Sequence, residues 1–417
     1  MISSLAWLDH DDEQQQQMRE AIELFREEGT IDELGLGRIR DALSERMFPG
    51  TSVLWGRARY LLIVPWFFQA LESGKGGSGD ADSRARLLFR KIASELTASG
   101  GGNPVSGVIG GQVRDAVQTP DMAIWAGLEK WGIRTTPGSR AQARRDAVAK
   151  SLSKVSIADE VEPRASIWHP RLPLAPPDFP DALSFELTRR EADFLSALMT
   201  DPEMSVDEWT WSRADSLFPP LLNAKEGALF DECERPWDLP KAVLKLASPE
   251  LREAIHSAGC FSDIARGAQL YYAYLVAQSR AQGESSEAVE RVGDLLDGWV
   301  GQITSGDRFE QLSVWNENIE DFWALIHQVN SRVVPAESKF IQKWAQICID
   351  KRGDLRSTDR TRELITGREI QVKRGRARLR MDGSIGRDAP AGVPQQMIFR
   401  WAFVRDIAID IRKGLGR

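Results

Sequence analysis

Residues 309–348 read FEQLSVWNENIEDFWALIHQVNSRVVPAESKFIQKWAQIC, and the spacing of their apolar side chains decides the fold class. Phe309 and Leu312, then Ile319, Phe322, Trp323, Ile326 and Val329, then Phe340, Trp344, Ile347 and Cys348 recur at three- and four-residue intervals. Side chains so spaced share one face of an α-helix, whereas a half-buried strand would alternate. Upstream, Val289, Val292, Leu296 and Trp299 repeat the pattern, and Thr188-x-x-Glu191 forms a capping box ahead of Phe194, Leu195, Leu198 and Met199. Further upstream, Thr119 suits an N-cap, Pro120 a first helical position and Gly132 a stop, with Ile124, Leu128 and Trp131 as the stripe between them. Asp82 or Ser83 can cap a helix carrying Leu87, Leu88, Ile92 and Leu96. Downstream, Met397, Trp401, Val404, Ala408 and Ile411 form a last stripe that closes near Gly414. The expectation is a mainly α, multi-helical, two-part globular protein with few short strands. No self-similar repeat supports a solenoid.

Four segments follow from composition: a helical domain over 1–140 with a buried apolar run at Leu61–Phe68, a Pro-rich connector over 141–182, a helical domain over 183–350, and a basic region over 351–417 ending in an amphipathic helix. Basic and polar residues from Arg140 to Lys154 lead into Pro163, Pro170, Pro173, Pro176, Pro177 and Pro180, so the connector is expected to be extended, neither helix nor central strand. Trp168, Leu172, Leu174 and Phe179 are its expected apolar anchors.

The chain has 417 residues, of which 42% are apolar and 28% charged, the proportions of an ordinary globular protein. That excludes a mainly disordered or collagen-like chain. Three cysteines, Cys233, Cys260 and Cys348, are widely spaced and form no C-x-x-C pair, which argues against a disulfide framework and for reduced thiols. The start of the chain lacks a basic and then apolar leader, and the Leu61–Phe68 run is far shorter than the ~20 residues a membrane span needs. A cytoplasmic protein without membrane contact is expected. Fourteen tryptophans read as core and interface anchors rather than base-stacking platforms.

Common catalytic signatures are missing. Gly74–Gly79 contains Gly-Lys-Gly, but Gly76 stands where a phosphate-cradling loop needs Ser or Thr. Gly107-Val108-Ile109-Gly110 has the Gly-x-x-Gly spacing of a KH loop and reads more simply as a tight turn. His10, His169, His256 and His327 do not pair at zinc-ligand spacing, and Arg164 with His169 has the spacing of a HEPN ribonuclease motif but lies between Pro163 and Pro170. Glu369 and Lys373, with Asp354 or Asp359 upstream, loosely resemble a metal-dependent nuclease core, although that chemistry usually wants Glu-x-Lys on a strand. No catalytic residue, metal site or cofactor is assigned.

Charge is the sharpest signal. The chain carries −7 overall, yet residues 351–417 hold 17 basic and 8 acidic side chains, and residues 1–50 hold 12 acidic and 5 basic. Within the basic region, Lys373, Arg374, Arg376, Arg378 and Arg380 form the candidate nucleic-acid-binding row. From Arg374 onward the arginines alternate with Gly375, Ala377 and Leu379, and on a strand all four guanidinium groups would face phosphate together. The competing expectation is that these cations fold back onto the acidic body.

Ser4-Leu5-Ala6-Trp7-Leu8-Asp9-His10, Phe48-Pro49-Gly50-Thr51-Ser52, Arg57-Ala58-Arg59-Tyr60 and Val64-Pro65-Trp66 resemble a bacterial family catalogued as a domain of unknown function. The resemblance continues through Asp32-Glu33-Leu34-Gly35, Trp131-Gly132-Ile133-Arg134 and Phe399-Arg400-Trp401, essentially the whole chain. It carries over no catalytic residue. It implies an accessory protein of bacterial mobile or anti-phage defence loci. Three readings stand open from the sequence: a non-enzymatic nucleic-acid-binding or adaptor subunit of such an assembly, with a protein partner and DNA or RNA at the basic region; a divergent metal-dependent nuclease; and a protein-interaction scaffold whose basic end neutralises its own acidic body.

Overall fold

The computed structural model describes residues 32–101, 105–110, 119–153, 166–204, 215–224, 230–281, 286–351, 355, 359–379 and 394–417. Among them fifteen α-helices follow in order: α1 Gly37–Met47, α2 Tyr60–Glu72, α3 Ala81–Ala98, α4 Pro120–Lys130, α5 Arg140–Ser153, α6 Arg189–Thr200, α7 Phe218–Asn223, α8 Lys241–Leu244, α9 Pro249–Ala281, α10 Glu287–Thr304, α11 Gly306–Glu317, α12 Ile319–Val329, α13 Pro335–Lys351, α14 Asp359–Lys373 and α15 Trp401–Gly414. The described residues hold no named strand, and Arg134 and Trp168 make an isolated antiparallel bridge. The chain is therefore mainly α, as its periodicity indicates. No helix among the described residues is long and apolar enough to cross a membrane. Contacts group the described residues into two compact units, one drawn from 50–209 and 403–417, the other from 32–49 and 210–402.

The first unit is built around α2. All but two of its residues are buried, and the indole and phenol groups that burial brings inside find partners. Trp66 Nε1 donates to the carbonyl of Pro173 at 2.8 Å, and the Tyr60 hydroxyl accepts the Ile109 N–H at 2.8 Å. Helices α3, α4 and α5 pack around α2. Asp80, not Asp82 or Ser83, caps α3 by accepting the Ser83 N–H at 2.8 Å, and Leu87 points outward at 51% exposure while Leu88, Ile92 and Leu96 are buried. Leu88, Ile92 and Leu96 recur every four residues on the buried face, and Leu87 lies off that row. Thr119 and Pro120 open α4 as expected, and Gly132, at φ +71°, closes it in a Schellman turn in which Ile133 N–H bonds the Leu128 carbonyl at 2.9 Å.

The connector expectation needs correcting at its start. Arg140–Ser153 is helix α5, and Ser139 caps it through the Gln142 N–H at 3.2 Å. Proline arguments apply only downstream, where residues 166–188 cross the unit without helix. Trp168 and Phe179 anchor that crossing, but Leu174 is 79% exposed, because the chain is held there by Pro173 instead.

The second unit centres on α9, which at 33 residues spans about 50 Å. Helices α1, α10, α11, α12, α13 and α14 all pack against it. Two indoles tie their helices to its backbone: Trp299 Nε1 donates to the Asp263 carbonyl and Trp344 Nε1 to the Ile264 carbonyl, both at 2.9 Å, and the two rings stack at 6.5 Å. Gly267 leaves the space that the Trp299 ring fills.

Candidate functional site

The candidate residues lie at the end of α14, in the second unit. Its C-terminal turn runs into a 3₁₀ turn over Arg374–Arg376, with Arg374 at φ +53°. This corrects the sequence expectation for the row. The row is not a strand, so its side chains do not share one face.

A buried carboxylate is the cause. Glu369, fully buried on α14, accepts the backbone N–H groups of Arg378 and Leu379, each at 2.8 Å, and the Tyr272 hydroxyl of α9 at 2.7 Å. Backbone donors captured by one carboxylate are charge-assisted bonds, which outweigh the weak preference of an Arg/Gly/Ala/Leu sequence for strand. The segment therefore folds back over the helix end.

Folding back splits the four cations of the row that lie among the described residues. Lys373 forms an ion pair with Glu33, lies 3.4 Å from Glu369 Oε1, donates to the Tyr272 hydroxyl at 3.2 Å, and sits over the Tyr272 ring. Arg378 is buried, with Nη1 at 3.3 Å from Glu33 Oε1. Arg374 and Arg376 remain exposed on the turn. Arg380 lies outside the described residues. Burial and the guanidinium groups of Arg378 and Arg376 push the Lys373 ammonium down to about 8, so it stays charged at neutral pH. Burial and the adjoining Glu369 carboxylate push the Tyr272 phenol far up, which keeps it a neutral donor.

Glu33 had no sequence signal as a site residue. It belongs to Asp32-Glu33-Leu34-Gly35, and every residue of that run has a partner. Asp32 accepts the Leu36 and Gly37 N–H groups at the start of α1, while the Leu34 and Gly35 carbonyls accept from Arg368 of α14 at 2.8 and 3.1 Å. Other runs that carried the resemblance also turn out to be structural. Arg57 makes a two-pronged pair with Asp410, at 2.9 and 3.0 Å, and Arg59 a buried pair with Glu191 at 2.9 Å. Phe399 and Arg400 adopt positive φ, and Trp401 Nε1 then donates to the Cys233 carbonyl at 2.7 Å.

With Asp359 as its upstream acid, the nuclease core does not assemble. Asp359 opens α14 and Glu369 lies near its end, about 15 Å away along the axis, and both Glu369 oxygens are engaged. Asp354 lies outside the described residues. No three His, Cys, Asp or Glu side chains among the described residues could hold a metal ion together. His169 is a core histidine, with Nε2 at 2.8 Å from the Met204 carbonyl and Nδ1 accepting the Arg171 N–H. Arg164 and His10 lie outside the described residues. Gly107 and Gly110 are turn residues at positive φ, and the intervening Ile109 N–H is spent on Tyr60. A cleft of about 150 Å³ in the first unit, floored by Phe68 and Trp125, has its charged rim paired internally through Lys150 and Glu72 at 3.0 Å.

Residues 2–410 match the family of unknown function DUF6361. The chain belongs to this family. No curated protein and no solved structure matches it. DUF6361 membership carries no activity with it, so the functional argument rests on the α14 turn.

Proposed function

We propose that this DUF6361 protein is a non-enzymatic adaptor subunit of a bacterial, cytoplasmic, defence-type assembly that touches nucleic-acid phosphate through Arg374 and Arg376. The observation that carries this reading is the Glu369 clasp on Arg378 and Leu379, which presents Arg374 and Arg376 outward on a fixed turn. A fixed turn loses little conformational entropy when its side chains meet a ligand. Arginine on such a turn suits the two-pronged geometry of phosphate oxygens. The defence setting and the protein partner come from the family resemblance alone. Binding of labelled DNA and RNA across a salt series, with an Arg374→Ala/Arg376→Ala variant, tests the reading.

A second reading has its own support. Glu33 pairs with both Lys373 and Arg378, which is the self-neutralising contact of a protein-interaction scaffold. In that reading the same salt series shows no binding at any salt concentration.

A further inference from the structure

Glu33 lies where an anion from outside could lie. Its carboxylate is nine-tenths buried, faces the Lys373 ammonium and the Arg378 guanidinium, and has the Tyr272 hydroxyl close by on Lys373. Two cations of different geometry converging on one anion are the makings of a phosphate pocket. The carboxylate fills it imperfectly. Oε2 is held by the Lys373 ammonium, but Oε1 makes no hydrogen bond, and Arg378 Nη1, also buried, makes none. The 3.3 Å approach of Arg378 Nη1 to Glu33 Oε1 is thus an attraction of charges without hydrogen-bond alignment. Buried groups in that condition keep much of their desolvation cost. A phosphate, with more acceptor oxygens arranged tetrahedrally, can accept from Arg378 Nη1 as well as from Lys373, where the planar carboxylate is aligned only with Lys373.

The surroundings favour exchange over permanent closure. Glu369 holds the backbone of Arg378 and Leu379 whether or not Glu33 is in place, so the two cations would stay in position after Glu33 left. The exposed Arg374 and Arg376 adjoin the pocket in sequence, on the turn between Lys373 and Arg378. A polyanion held by the turn would bring further phosphates to the pocket at high effective concentration.

We propose that Glu33 is a built-in competitor for phosphate: its carboxylate occupies a subsite formed by Lys373 and Arg378, and a phosphate of a bound nucleic acid displaces it. This rests on the reading of Arg374 and Arg376 as phosphate contacts, and it turns two cations counted as internal into contacts made only in the complex.

The test compares full-length protein with Glu33→Gln in binding labelled duplex DNA and single-stranded RNA across a salt series. Each phosphate contact adds about 0.9 to the log–log slope on duplex DNA and about 0.7 on single strands. Glu33→Gln removes the competing charge and keeps the shape, so it is expected to bind duplex more tightly, at least tenfold at low salt. Adding Lys373→Gln and Arg378→Gln should cancel that gain and flatten the slope by about 1.8 for the two lost duplex contacts. Glu33→Asp retracts the charge and should fall between wild type and Glu33→Gln, which keeps the test sound if Glu33→Gln lowers the melting temperature. Wild-type affinity in Glu33→Gln and Glu33→Asp, with loss of binding in Arg374→Ala/Arg376→Ala, would overturn the competitor and leave the turn reading intact. No binding by wild type or by either Glu33 variant would overturn both.

Discussion

The carboxylate of Glu369 and the backbone N–H of Arg378 meet at 2.8 Å in the interior of the second unit. That bond, with its twin to Leu379, decides where the basic segment goes. A helix that would otherwise end in a run of solvated arginines ends in a clasped turn, with Arg378 and Lys373 inside and Arg374 and Arg376 outside.

Removing the clasp should be costly. Glu369→Ala strands two buried backbone donors and the Tyr272 hydroxyl and leaves Lys373 short of a countercharge. A loss of about 3–5 kcal/mol is expected. Glu369→Gln keeps an acceptor and should lose less. Urea unfolding of the purified variants measures both.

Gly267 should tolerate no side chain. A Cβ there would run into the Trp299 ring, which is itself held by the Asp263 carbonyl and packed on Trp344. Gly267→Ala gains helix propensity of about 1 kcal/mol but forces the indole to move, and a net loss of about 1–3 kcal/mol is expected. A shift in tryptophan emission together with a lower melting temperature would report it, and an unchanged or raised melting temperature would refute it.

The first unit has its own critical pair. Arg59 and Glu191 are both buried, and Glu191 also completes the capping box of α6 by accepting the Thr188 N–H at 2.8 Å. Glu191→Ala therefore breaks a cap and orphans a buried guanidinium, and should cost about 3–5 kcal/mol. Arg59→Ala leaves the cap in place and should cost less. Equal losses in denaturant titration would contradict the assignment of two roles to Glu191.

The thiols should separate by reactivity. Burial pushes the Cys260 thiol up to about 12 and that of Cys348 higher, whereas Cys233 is half-buried. Thiolate is the reacting form. Native protein at pH 8 should release one equivalent of chromophore from an aromatic disulfide reagent, and denatured protein three, since the chain holds three cysteines.

Much of the fold was legible in the sequence because its helices bury regular stripes. Thr188 and Glu191 form the capping box that their spacing implies, and Ile124, Leu128 and Trp131 are fully buried. Local signals failed where several residues competed for one role. Asp80, Asp82 and Ser83 are all capping types, and the chain enters the helix at Ala81, ahead of both named candidates, with Asp80 taking the Ser83 N–H. Arg140–Ser153 carries little apolar periodicity and forms a helix because it packs on α2 and because buried Arg144 meets Asp121. The candidate site was half legible. Alternation from Arg374 to Arg380 is a true feature of the sequence, but its conformation is set by Glu369 and its charge by Glu33, more than 300 positions away in the chain. No local pattern encodes a partner so remote.

The most direct measurement is the salt dependence of duplex DNA binding by full-length wild type and Arg374→Ala/Arg376→Ala, with the melting temperatures of both proteins checked. Neither side chain is buried, so the fold should be unaffected. The account expects wild type to bind with a negative log–log salt slope and the double variant to flatten it by about 1.8, the equivalent of two phosphate contacts. An unchanged slope in the double variant, or no binding by wild type even at low salt, would contradict it.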